Sequence, residues 1–237
     1  MHREINRDFF KVWSGDMAYV LGFMFADGNI IKNNRGGYYF AIYTADEELL
    51  IRMRTSMGSS HKISFKMGKL GGCYSIQIGS KEMFNDLGKV GLTPNKSKRM
   101  ILPEVPKKYL GDFVRGYFDG DGHVWVGQIN KNREKTQMTI LTGFTSGSLN
   151  FLISLKNILK SAGIRGGCIY KCKTGEYGRL SFSVFDSLRL YEIMYNRPHT
   201  LYLDRKKMVF DKYRVLTKRC GCSSTVEHSP VDWQLLA

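Results

Sequence analysis

The sequence is poor in proline, cysteine and acidic residues. Five prolines are spread over 237 residues. Three of them, Pro94, Pro103 and Pro106, fall in TPNKSKRMILPEVPKK, the only linker-like stretch. The five cysteines fit a reducing compartment better than a disulfide framework. Cys168-x₃-Cys172 with Cys220-x-Cys222 has the count for a four-thiolate zinc site, but the first pair lies on an expected strand and the second in an expected tail. The five histidines are scattered without ligand spacing. No apolar run approaches the ~18 residues that span a bilayer, and MHREINRDFF is not a secretory signal. These absences argue against a membrane partner and place the expected chain in the cytoplasm.

Acidic residues are outnumbered, 21 Asp and Glu against 36 Lys and Arg, for a net charge of +15. Such an excess favours a polyanionic partner, because each neutralised phosphate releases counterions. At 43% hydrophobic the chain can also bury a sizeable core.

What the chain does have is a repeated stretch. Asp112 to Gly122 reads DFVRGYFDGDG, and Met17 to Gly28 reads MAYVLGFMFADG. Superimposed, Gly22 falls on Gly116, Phe23 on Tyr117, Ala26 on Gly120, Asp27 on Asp121 and Gly28 on Gly122. Each copy predicts a helix closed by an acidic residue and then glycine, which suits a helix end through its tolerance of positive φ. Ala18, Gly22 and Ala26 share one helix face, as do Gly116 and Gly120. Glycine inside a helix costs roughly 1 kcal/mol against alanine. Close packing of the two small-residue faces, centred on Gly22 and Gly116, is the natural reason for it. Asp27 and Asp121 then leave the same seam side by side. Two carboxylates at one point repel unless a cation lies between them, and oxygen-only ligands suit Mg²⁺ or Ca²⁺. An EF-hand reading of DGDGHVWVGQIN fails for want of the loop glycine and the distal bidentate Glu.

The segments after each motif recur in the same order. Strands are expected at Asn29 to Lys32 and Tyr38 to Thr44, a helix at Asp46 to Met57, strands at His61 to Lys66 and Cys73 to Ile78, and a helix at Lys81 to Val90. The second half predicts strands at His123 to Asn130 and Gln137 to Thr145 and a helix at Ser148 to Ala162. Strands at Ile164 to Lys173 and Arg179 to Val184 follow, then helices at Asp186 to Tyr195 and Tyr202 to Val215. The expected class is therefore α+β, a pseudo-two-fold duplication of αββαββα units carrying two four-stranded antiparallel sheets. Expected boundaries are a first half over 1–97, a linker over 98–111, a second half over 112–216 and a peripheral tail over 217–237. In each sheet helices cover one face, and the other carries polar side chains: Lys62, Ser64, Lys66, Ser75 and Gln77 in the first half, and Arg179, Ser181 and Ser183 in the second. Asn33 and Arg35 in the first turn, with Lys171 and Lys173 in the second half, extend these faces. Polar side chains on a β-ribbon are the means of reading base edges in a major groove.

The paired pattern Gly-hydrophobic-hydrophobic-x-(Ala/Gly)-Asp-Gly resembles the LAGLIDADG homing endonucleases in their single-chain form with two motifs. FVRGYFDGDG is a close match, whereas the first copy has Phe25 where the second has Asp119. The resemblance covers roughly residues 14 to 216. It implies a monomer whose two sheets form a saddle over about two turns of double-stranded DNA, and a DNA-accessible compartment, cytoplasmic or an organellar matrix. It further implies a staggered double-strand break by metal-dependent phosphodiester hydrolysis. Asp27 and Asp121 would hold metal with the carbonyls of Ala26 and Gly120, using Mg²⁺, with Ca²⁺ as a non-productive substitute and Mn²⁺ as a further candidate. Lys96 and Lys206, at matching places in the two halves, would assist catalysis, and Thr44 and Ser146 would order water. An RNA-binding intron maturase and a non-cleaving DNA-binding regulator are the alternatives on the same scaffold.

Overall fold

The computed structural model describes residues 3–69, 71–129 and 137–219. Its first helix, α1 (Gly15–Asp27), starts where the Ser14 hydroxyl accepts the amide of Met17. It runs straight into β1 (Gly28–Lys32), which pairs with β2 (Tyr38–Thr44) across a turn built on Asn33, whose Oδ1 accepts the amides of Arg35 and Gly37. Helix α2 (Glu47–Ser56) is capped by Asp46 and α3 (Lys81–Lys89) by Ser80, and between them lie β3 (Ile63–Gly68) and β4 (Gly71–Gly79). Short 3₁₀ turns at Lys96–Lys98 and Lys107–Tyr109 lead into α4 (Leu110–Asp121). The order then repeats: β5 (Gly122–Ile129), β6 (Gln137–Ser146), α5 (Leu149–Ser161), β7 (Cys168–Lys171), β8 (Gly178–Phe182), α6 (Val184–Tyr195) and α7 (Asp204–Arg219).

Both sheets are antiparallel and have the same strand order, β1-β2-β4-β3 and β5-β6-β8-β7. The cap residues are duplicated too: Asp46 accepts the amide of Leu49, and Ser148 that of Phe151. Side chains one apart along a strand point to opposite faces, so the register assigns each residue a side. Ile30, Phe40, Ile42, Ile76 and Ile78 share the helix-covered face of the first sheet, all at most 2% exposed. Ile140, Phe144, Leu180 and Phe182 do the same in the second. Burying each such side chain contributes about 1.5–3 kcal/mol, which is what fixes the register.

The chain divides into two compact units, one of Met1–Asp121 with Pro198–Tyr202, the other of Gly122–Arg197 with Leu203–Ala237. Helix α4 packs on α1 and so belongs to the first unit, although it carries the second copy of the repeat.

Four details differ from the sequence reading. Gly28 has φ −104° and ψ 165°, extended and not left-handed, and Gly122 is likewise absent from the positive-φ glycines. Helix passes into strand with no intervening residue, and glycine serves close approach: a Cβ at Gly28 would lie 2.6 Å from Met24 Cα. The expected alternation of β3 holds only at its start, since Phe65 and Met67 are exposed along with Ser64 and Lys66. The distal part of the β3–β4 hairpin has solvent on both faces, with the Phe65 ring against Tyr74 and lying over Gly72. Strand β7 is shorter than expected because Gly163 and Gly167 take φ of 99° and 106°, and Asp186 accepts the amides of Arg165 and Gly166 in a turn. Helix α7 starts at Asp204 and continues to Arg219.

Candidate active site and nucleic-acid interface

The small-residue faces of α1 and α4 meet backbone to backbone. A Cβ at Gly22 would lie 2.1 Å from the Phe113 carbonyl oxygen, and one at Gly116 would lie 2.0 Å from that of Tyr19. Farther along the seam, a Cβ at Gly120 would come 2.3 Å from Cβ of Ala26 and 3.1 Å from Oδ2 of Asp27. The Asp27 carboxylate therefore lies against the residue that precedes Asp121, at the C-terminal ends of both helices.

The two copies are not chemically equivalent along this seam. Asp119 is 2% exposed and accepts a 2.7 Å hydrogen bond from the Tyr19 hydroxyl. By the repeat alignment the sister positions are Phe25 and Phe113, and these form an edge contact with centroids 5.6 Å apart. One pseudo-symmetric contact is thus polar and the other aromatic. Arg115 supports the polar side: its guanidinium lies over the Tyr19 ring, pairs with Asp112 and donates Nε to the Leu201 carbonyl.

Each motif helix end is held by a lysine. Lys96 is 8% exposed and donates Nζ to the carbonyls of Ala26 (3.1 Å) and Gly28 (2.7 Å). Burial pushes its ammonium below the ordinary lysine value, and the carboxylates of Asp121 and Asp27 pull it back up. Lys206, 7% exposed, donates Nζ to the carbonyl of Gly122 at 2.6 Å. Carbonyls at helix C-termini carry the negative end of the macrodipole, so a lysine is the favoured cation at both places.

The donors at this seam are hard oxygens, which suit Mg²⁺ or Ca²⁺ and not a thiophilic metal. They are the carboxylates of Asp27 and Asp121 and the main-chain carbonyls of Ala26 and Gly120. Ala26 already accepts from Lys96 and has a second lone pair for a cation. Among the described residues no group of three or more His, Cys, Asp and Glu side chains forms a metal cluster. Cys220 and Cys222 of the zinc reading, and the tail from 220 onward, lie outside the described residues. No helix among the described residues is long and apolar enough to cross a membrane.

The uncovered sheet faces hold most of the expected polar residues. Ser64 and Lys66 share a side with Ser75 and Gln77 through the pairs Ser64↔Ser75 and Ala41↔Gln77, and Lys62, just before β3, is exposed. In the second sheet Arg179 and Ser181 face outward opposite Thr145 and Gly143. Lys171 falls on the other side, paired with Gly178 whose Cβ would meet Leu149 of α5, and exposed Lys173 lies beyond the strand. Ser183 is the N-cap residue of α6 without a capping hydrogen bond from its side chain. Asn33 spends its Oδ1 on the turn, beside exposed Arg35. The hydroxyls of Thr44 and Ser146 accept the amides of Asp46 and Ser148. Sequence reasoning missed the aromatic and aliphatic part of the second face. Trp125↔Leu141 is a cross-strand pair on the outward side of β5 and β6, and apolar side chains carry no polar signal that marks an outward face.

Residues 108–197 match the family described as a LAGLIDADG-like domain. An uncharacterized protein of Methanocaldococcus jannaschii is 30% identical over 121 residues, covering 49% of this chain and 42% of that protein. The chain spans less than half the length of the curated relatives it matches. The meganuclease I-SmaMI bound to uncleaveable DNA superimposes with a TM-score of 0.62 at 13% identity, covering 88% of this chain and 91% of that one. It is also known bound to uncleaved target DNA in the presence of calcium ions. The I-LtrWI LAGLIDADG homing endonuclease bound to target DNA gives a TM-score of 0.58 at 14% identity, covering 92% of each chain. At these identities the likeness is one of fold. Residues 108–197 are thus similar to a LAGLIDADG-like domain, and over nearly its whole length the chain has the fold seen in these LAGLIDADG homing endonuclease structures.

Proposed function

We propose that this protein is a site-specific DNA endonuclease that, as a monomer, makes a staggered double-strand break in a target of about two helical turns. The observation that carries the proposal is the pair Asp27 and Asp121 at the ends of two helices packed backbone to backbone, with Lys96 buried against the same ends. So close a packing over-determines the position of both carboxylates. Structures of this fold bound to DNA, one of them with calcium ions, support the substrate and the use of a divalent cation.

Asp27, Asp121 and the carbonyls of Ala26 and Gly120 would hold the cation, Mg²⁺ for turnover and Ca²⁺ for binding alone. When bound there it supplies Lewis acidity to the scissile phosphate and lowers the pKa of water. In the reaction a water oxygen bonds to phosphorus, the bond from phosphorus to the leaving sugar oxygen breaks, and that oxygen gains a proton. Lys96 keeps the Ala26 carbonyl in place and sets positive charge beside both carboxylates, where the phosphate gains negative charge. Lys206 is assigned the same work next to Gly122. The polar outer face of the first sheet and Arg179 and Ser181 of the second read bases and phosphates.

Asp27→Asn and Asp121→Asn test the reading. Each variant should lose double-strand cleavage of a selected target while keeping affinity within about tenfold, because the altered groups hold a cation and not bases. Cutting of both strands at the unaltered rate by either variant overturns the shared site.

A further inference from the structure

The outward faces of the two sheets carry different chemistry. The first is set with hydroxyl, amide and ammonium groups around Tyr43, whereas the second has an apolar patch where β5 and β6 run beyond the end of β8. Trp125 and Leu141 are directly opposed across β5 and β6, at 47% and 41% exposure, and Ile129 on the same side is 37% exposed. Tyr170, opposite Arg179 on β7 and β8, is 60% exposed. The register places all of these on the side turned away from Phe144, Leu180 and the helices that bury them.

The Trp125 ring lies flat along its own strand. A Cβ at Gly127 would lie 2.3 Å from Cζ2 of Trp125, so the indole lies along its own strand over the glycine and turns a flat face to solvent. An exposed indole lying flat on a sheet face that also carries Arg179 is built for a surface that is apolar in places and anionic around them. Duplex DNA offers one apolar group in its major groove, the 5-methyl of thymine.

Resting on the endonuclease reading, we propose that the second sheet selects thymines in its half of the target by apolar contact of Trp125 and Leu141 with 5-methyl groups. The first sheet, by contrast, selects its half by hydrogen bonding. Trp125 and Leu141 are specificity residues in this assignment, and Gly127 is a positioning residue that keeps the indole flat.

The test is a binding selection in calcium with the full-length protein and two randomised duplex libraries, one made with thymine and one with uracil. Uracil keeps every hydrogen-bonding group of thymine and lacks only the methyl. Thymine preferences in one half of the recovered site should relax by roughly three- to fivefold per position in the uracil library, the value of about one buried methylene. The other half should be unchanged. Trp125→Ala, and Gly127→Ala whose new methyl displaces the indole, should relax the same positions in the thymine library. Both should leave the melting temperature within a few degrees, since Trp125 is exposed. Equal thymine preference in both libraries overturns the proposal. So does a Trp125→Ala protein with every preference intact that has lost only self-association, which would make the patch a contact between copies. Recovery of no preferred sequence from either library overturns the DNA-binding reading itself, and this inference with it.

Discussion

Lys96 and Lys206 are each under a tenth exposed and each spend their protons on main-chain carbonyls at or just past the end of a motif helix. Burying an ammonium is costly unless its donors are satisfied, and here the carbonyls and the two carboxylates beside Lys96 offset that cost. Lys96→Met should therefore act twice. On the endonuclease proposal, losing the charge beside Asp27 and Asp121 should lower kcat on the selected target by about 10²–10³, and leaving carbonyls without their donor should cost about 1–3 kcal/mol in urea unfolding. A full-rate Lys96→Met enzyme would reduce the residue to a structural cap. His123 gives a pH signature. Burial holds its imidazole below the ordinary histidine value, with Arg179 and Lys206 adding to the effect. On acidification through about 6.5, the unfolded chain takes up a proton that the folded protein still refuses. Stability is then full above that pH and is lost as pH falls toward the folded value. The urea midpoint should drop between pH 7 and pH 5, and less steeply in His123→Gln. His61, also lowered by burial and by Arg3, leaves a residual slope in that variant.

At the scale of elements, the α1–α4 seam sets the tolerance of the fold. Gly116→Ala would put a methyl 2.0 Å from the Tyr19 carbonyl oxygen. Neither backbone can yield alone, so the cost should exceed the 1–3 kcal/mol typical of overpacking, seen as insoluble protein or a large loss in urea midpoint. A Gly116→Ala protein of unchanged stability would mean that the helices do not approach so closely. The polar contact in the same seam can be tested against its aromatic sister. Tyr19→Phe removes the donor to buried Asp119 and should cost about 1–3 kcal/mol. Adding Asp119→Phe copies the Phe25–Phe113 contact and should recover most of it. This seam also shows where the sequence was legible. Glycines four apart mark a helix face whatever the neighbour is, so the place of closest packing could be read from spacing alone. The Tyr19–Asp119 bond could not, because it joins residues 100 apart in sequence and breaks the symmetry that made the repeat visible. The helix start at Asp46 was legible for a local reason: its side chain acts on the amide three residues on, as those of Ser80 and Ser148 do at α3 and α5. The end of β3 was not, since alternation says which residues share a side and not whether any helix covers it.

At the scale of the whole molecule, the net charge of +15 predicts a steep salt dependence of DNA binding. Log affinity for DNA should fall linearly with log salt, with a slope of about −0.9 per phosphate neutralised. Lys66 distinguishes the two uses of a cation on a sheet. It projects from β3 on the side of Ser64, Ser75 and Gln77, opposite Cys73, and is exposed. If it meets phosphate, Lys66→Ala should weaken binding to every sequence and reduce the magnitude of the slope by about 0.9. If it meets a base edge, the slope should hold while preference at one position relaxes by ~1–3 kcal/mol. The arrangement favours the first outcome, because Lys66 stands on the edge strand β3, toward the tip of its hairpin. Titrations of Lys66→Ala at several salt concentrations, with the selected target and single-base variants of it, separate the cases. A protein unchanged in both slope and preference would place this face of the first sheet off the DNA.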